Sequence, residues 1–256
     1  MSVVSSTVEG MKTSWDDDAL VRVQDVAAAL SECGVADLTR SLVQEVWRAN
    51  LERWEPKELG DTRRILGQTC AENLRVRMVR EGLREEWANR GVHFGDSENS
   101  LLIEAAEVRV RLVKAPWRSG LRPNWSSDFS WNNASAVRRA AAEDNAARYR
   151  PGMSEFGAAP LFPLEAVIRG GVGAAHCREF FLVWAGEHQD GLTAGWLGLP
   201  SSMEAPWMAV DSLWMDARTA TTMVDLDTSA TTATQVADVA EPQVRLKKQM
   251  DWKQSK

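Results

Sequence analysis

A chain of 256 residues, with 44% apolar and 26% charged side chains, is long enough to bury a sizeable core without staples. The three cysteines, Cys33, Cys70 and Cys177, lie far apart, which argues against a disulfide framework and fits a reducing, cytoplasmic compartment. The first fifteen residues lack a secretory pattern, and no apolar run is long enough for a membrane span, so the reading is a soluble protein with no membrane partner.

In chain order, residues 1–15 are rich in Ser, Thr and Val and are expected to be flexible. Asp16-Asp17-Asp18 precede a stripe of Leu20, Val23, Ala27 and Leu30. Acidic residues favour the positive end of a helix dipole, so a helix starts there and stops at Gly34. A second helix begins near Asp37, carries Leu38, Leu42, Val46, Trp47, Leu51 and Trp54 at spacings of three and four, and is closed by Pro56. A third is expected from Asp61 to about Asn89, with Leu66, Cys70, Leu74 and Met78 on one face and a break near Gly82.

Beyond Gly91 the period changes. Leu101–Glu104 and Val108–Val113 read as paired strands; Val108, Val110 and Leu112 face one way, Arg109 and Arg111 the other. The Ala105-Ala106 joint is a poor match to favoured hairpin turns. Residues 115–132 form a long loop, followed by a helix at about Asn133–Arg148 with Asn132 or Asn133 as its cap. A short helix is expected at Leu164–Ile168. Glu179–Trp184 and Leu192–Leu197 flank Asp190-Gly191, the strongest hairpin signal in the chain, and a further strand is expected near Pro206–Leu213. After about residue 217 the composition turns to Thr, Ala, Asp, Ser and Gln, too poor in large apolar groups to offset ordering entropy.

The organisation that follows is α+β. A helical region spans 16–90, and a small, mainly antiparallel sheet with one packed helix spans 91–216. A disordered tail covers 217–256.

The charge is uneven. The whole chain is at −6, yet residues 108–150 carry nine arginines and lysines against three acids. Within this stretch Arg109, Arg111, Lys114, Arg118, Arg122, Arg138 and Arg139 lie among Trp117, Trp125 and Trp131. Cations meet phosphates and indoles stack on unpaired bases, so these ten residues are the candidate surface for a nucleic acid or an acidic protein partner. The competing reading is a strand face whose charges are satisfied within the protein, by the acidic N-terminal helices.

Two sharper chemistries have partial signals. Metal-dependent nucleases of the restriction-endonuclease class place one acid before a strand and an acid-x-lysine on the next. Here Asp96 or Glu98, Glu104 and Glu107 occupy similar places, which makes a metal-dependent phosphodiesterase the alternative function. The lysine position holds Arg109, however, and an arginine stays protonated. His176-Cys177 are neighbours whose side chains point apart in a strand, so they read as a strand entry with a buried thiol. Gly170 to Gly173 lies in the wrong order for a phosphate loop and reads as a turn. No cofactor is expected. Trp47, Trp54, Trp87, Trp184 and Trp196 read as core, and Trp117, Trp125, Trp131, Trp207 and Trp214 stand in less regular surroundings.

Overall fold

The computed structural model describes residues 15–97, 100–149 and 173–217, all within the compact unit Met1–Arg218. The expectations for residues 1–14, for the short helix at 164–168, for the glycine-rich turn before Gly173 and for the tail after 217 fall outside the described residues.

Three long helices open the chain. The first, α1 (Asp17–Glu32), is capped by Asp16, whose carboxylate accepts the Ala19 N–H at 2.8 Å. It ends at Cys33, and Gly34, at φ 84°, turns the chain straight into α2 (Val35–Leu51), two residues before the expected Asp37 start. The third, α3 (Arg63–Glu81), is capped by Thr62 and stops at Gly82. A five-residue helix, α4 (Glu85–Asn89), completes the stretch read as one long helix with a break.

Six strands follow: β1 (His93–Ser97), β2 (Ser100–Ala105), β3 (Val108–Lys114), β4 (Glu179–Gly186), β5 (Thr193–Pro200) and β6 (Trp207–Met215). They form one sheet in sequence order. Four of its five pairings are antiparallel, as expected. The fifth, β3 with β4, is parallel and joins the two hairpin systems into a single mixed sheet. A parallel pair needs a long crossover, and here it carries a helix, α5 (Ala136–Arg148). Ser135 caps α5 by accepting the Arg138 N–H, which displaces the expected Asn132 or Asn133 cap. Trp207 and Trp214, read as irregular, lie on β6.

Helices α1, α2 and α3 cover one face of the sheet. Val108, Val110, Phe180, Leu182, Trp184, Leu197 and Leu199 meet them there in the larger core cluster. The crossover covers the other face, with Ala115, Phe129 and Ala141 packing on Phe181, Val183, Trp196 and Trp207. This second layer lies over the β4–β6 half, where α5 touches β4 and β5. Accordingly β4 and β5 are buried along nearly their whole length, whereas β2 alternates between buried and more open positions and β3 does so only at its start, its last four residues being half-buried. Trp15, inside the stretch expected to be flexible, is half-buried and packs against both clusters.

Glycines in the sheet seat indoles. A side chain at Gly186 would collide with the Trp47 ring, one at Gly195 with Trp214, and one at Gly198 with Trp207 at 2.7 Å. Gly195 and Trp214 are direct cross-strand partners. Gly195→Ala is therefore expected to lower unfolding free energy by roughly 1–3 kcal/mol, because the Trp214 ring has to leave its seat. Equal urea midpoints for variant and wild type would contradict this seating.

The β2–β3 turn is unusual in composition. Ala106 and Glu107 form a two-residue loop with φ 48° and 60°, the backbone normally supplied by an Asn-Gly pair. The double substitution Ala106→Asn with Glu107→Gly is expected to stabilise the fold by about 1 kcal/mol. The urea midpoint should rise with the slope of the transition unchanged.

Candidate functional site

The valine face of β3 lies under the helices, so the arginine face points away from them. The acidic N-terminal helices are not its partners. Glu179 is: it begins β4 directly opposite Arg109, and its carboxylate, only 3% exposed, forms ion pairs with both Arg109 and Arg111. Asn145, fully buried on α5, fixes the same residue through its backbone. It donates to the Glu179 carbonyl at 2.9 Å and accepts the Glu179 N–H at 3.2 Å.

Most other cations of the 108–150 stretch are also engaged within the fold. Arg138 is buried and donates to the carbonyls of Phe129 and Ser130. Its guanidinium lies 5.0 Å from the Trp131 ring centre and 5.8 Å from that of Trp207. Burial, with Arg139 beside it, pulls its pKa down to about 10. Arg139 donates to the Ala134 carbonyl at 3.1 Å, and Arg148 pairs with Asp144 one helical turn earlier. Lys114 ends β3 on the helix side. Its ammonium sits 5.5 Å from the Trp47 ring centre and 5.3 Å from that of Trp184, and donates to the Ala115 carbonyl. Gly67 in α3 leaves room for its stem, since a side chain there would meet Lys114 Cε at 3.2 Å.

Of the three candidate indoles, two are also structural. Trp125 stacks on Phe129 at 5.3 Å and meets Trp196 and Trp207 edge-on, while Trp131 donates from Nε1 to the Met203 carbonyl at 2.7 Å. Trp117 differs. It stands 58% exposed on a 3₁₀ turn, Trp117–Ser119, with the Arg63 guanidinium 5.8 Å from its ring centre. Arg118 and Arg122 are exposed in the same loop, and Arg64 and half-exposed Ile65 follow Arg63 on α3. Asp128 organises the loop: it accepts from Ser119 Oγ at 2.6 Å, from Asn124 N at 2.9 Å and from Arg118 Nε at 3.3 Å. The structure thus sets Trp117 beside Arg63, with Arg118 and Arg122 exposed in the loop that Trp117 opens. The contribution of Arg63 has no sequence signal, because it lies over fifty residues upstream.

The acid set comes together only in part: Glu104 and Glu107 line one cleft with His93 and Arg109, and Asp96 does not line it. Asp96 faces Leu101 and is held by Arg75, Glu104 lies between His93 and Arg109, and Glu107 sits in the turn; Glu98 falls outside the described residues. Among the described residues no three His, Cys, Asp or Glu side chains are grouped to share a metal. Cys177 is buried, which pushes its thiol up to about 11, and His176 is exposed beside it. No helix of the described residues is long and apolar enough to cross a membrane.

No protein-family model, curated protein or solved structure matches the chain.

The half-buried ammonium of Lys114 has a measurable consequence. Burial lowers its pKa below the ordinary 10.5, so the unfolded chain binds the proton more readily than the folded one. The penalty is present at neutral pH and fades as pH rises toward 10.5. Lys114→Met is expected to stabilise the protein by about 1 kcal/mol near pH 7, keeping the packing while removing the partly desolvated charge. Its advantage over wild type should shrink when urea midpoints are compared up to about pH 10. An advantage that grows with pH would contradict this.

Proposed function

We propose that the chain is a non-enzymatic interaction protein that binds a polyanion, in the first place a single-stranded nucleic acid, through the surface centred on Trp117. The observation that carries the reading is the exposed Trp117 indole beside Arg63, with Arg118 and Arg122 exposed in the same loop. An unburied indole offers a stacking face to any base, and neighbouring guanidiniums neutralise the phosphates on either side. The surface is smaller than the ten-residue stretch read from the sequence. Arg109, Arg111, Lys114, Arg138 and Arg139 have partners inside the fold; Arg118 also pairs with Asp128 but stays exposed, and with Trp117 and Arg122 it forms the core of the surface. An acidic protein segment would meet the same cations, without the stacking.

Fluorescence anisotropy with a labelled oligothymidylate tests this. Wild type is expected to bind at low salt, with affinity falling linearly in log salt at about −0.7 for each phosphate neutralised. Trp117→Ala is expected to weaken binding roughly tenfold, in line with about 1–3 kcal/mol per stacked base. Arg118→Glu with Arg122→Glu should weaken it further and flatten the salt slope. Binding to polyglutamate that is indifferent to Trp117 would assign the surface to an acidic protein. No binding to either at low salt would refute the proposal.

A further inference from the structure

A cleft of about 800 Å³, which Trp117 does not line, opens between the Trp131–Asn133 turn and the β5–β6 connection. That volume is within the range of sites for small organic molecules, roughly 300–1,000 Å³. Its walls are Trp131, Trp207, Met203, Pro206 and Met208. We infer that this cleft binds a small, flat aromatic ring carrying a cationic group.

The aromatic wall is fixed in place. Trp131 is tethered at its edge by the 2.7 Å bond from Nε1 to the Met203 carbonyl. The Arg138 guanidinium backs the same ring and is itself held by the Phe129 and Ser130 carbonyls. Arg138 is not among the residues lining the cleft, so it supports the ring from outside. Trp207 is 3% exposed and braced by Phe129, Phe181 and Trp125. The connection between β5 and β6 is itself held by the Ser201 N–H donating to the Pro206 carbonyl at 3.1 Å, and by the Met203 N–H donating to Ser201 Oγ at 3.0 Å. A ligand ring entering here orders few side chains, which removes a main entropic obstacle to binding. Met203, 51% exposed, adds a flexible, polarisable flank.

The charge of the ligand follows from the rim. Glu204 is exposed on it, and Asp16 contributes a carboxylate whose Oδ1 already accepts from Ala19 N and Tyr149 Oη. Among the described residues no lysine, arginine or histidine lines the cleft. An anionic ring would meet the Glu204 carboxylate with no cation on the lining to offset it; an ammonium on a short arm would pair with Glu204. This preference is opposite to that of the Trp117 surface, so the two sites are separable by ligand charge.

Tryptamine and indole-3-acetate share a ring and differ in charge, and serve as the probes. With ¹⁵N-labelled indoles in the full chain, the Trp131 signal is identified by its loss in Trp131→Phe. Tryptamine is expected to shift the Trp131 signal saturably with a Kd near or below about 1 mM, leaving Trp117 unmoved. Indole-3-acetate should bind about tenfold more weakly, a difference Glu204→Gln should largely erase. The Trp131→Phe variant keeps a ring and checks that folding is intact; in it the neighbouring Trp207 signal should still respond, more weakly. The inference is overturned if neither probe gives a saturable shift up to about 10 mM, or if both bind equally and Glu204→Gln changes nothing.

Discussion

The seam between β3 and β4 is what makes this molecule one sheet. On one side lies the β1–β2–β3 meander, on the other the β4–β5–β6 meander, and only this parallel ladder joins them. Glu179 sits at its start, nearly buried, with guanidiniums from Arg109 and Arg111 on its carboxylate and Asn145 on its backbone. Buried ion pairs add little net stability over well-packed apolar groups, but a carboxylate left without its partners is strongly unfavourable. A one-residue slip of the seam would swing Glu179 into the apolar layer beneath the helices. The pair therefore acts on register, and through register on every side chain the two halves present.

Indoles carry much of the packing that follows from that register. Trp47 from α2 lies over Gly186, Trp214 over Gly195 and Trp207 over Gly198, so three glycines of β4 and β5 make room for large rings on both faces. Trp47 and Trp184 also meet edge to face, and the Lys114 ammonium lies close to both rings. The many tryptophans of the sequence are thus largely structural, and the exposed Trp117 stands out against them.

The helical half is legible in the sequence because its information is local. Apolar stripes, the Asp16 cap, Gly34 and the break at Gly82 all lie within a few residues of what they determine. The alternation of β3 is equally readable, and it assigns the two faces of the strand. It does not reveal what Arg109 and Arg111 meet, since Glu179 lies 68 residues beyond Arg111 and no pattern in the chain links them. Strand β1 escapes a reading by pattern because His93-Phe94-Gly95-Asp96-Ser97 contains a single large apolar residue, as suits an edge strand. The ten candidates read as one surface from sequence because composition counts cations but not their partners: Arg109 and Arg111 meet a carboxylate on another strand, and Lys114, Arg118, Arg138 and Arg139 meet carbonyls or a carboxylate within about ten residues. Arg63, which completes the Trp117 patch, is missed because it lies on α3.

The ends of the sheet bear on how copies of this chain meet one another. Any open sheet offers two rows of unpaired backbone groups as templates for strand addition. At one end the template is the five-residue β1, carrying Asp96 clamped by Arg75 and a side-chain-free Gly95. At the other, β6 is longer and richer in apolar groups, but α1 lies against it and the Asp16 N–H donates to the Met208 carbonyl. The residue that caps the first helix thus also occupies part of the last strand's rim. Edge-to-edge polymerisation is opposed at one end by shortness and charge, and at the other by the helix cap laid against the strand.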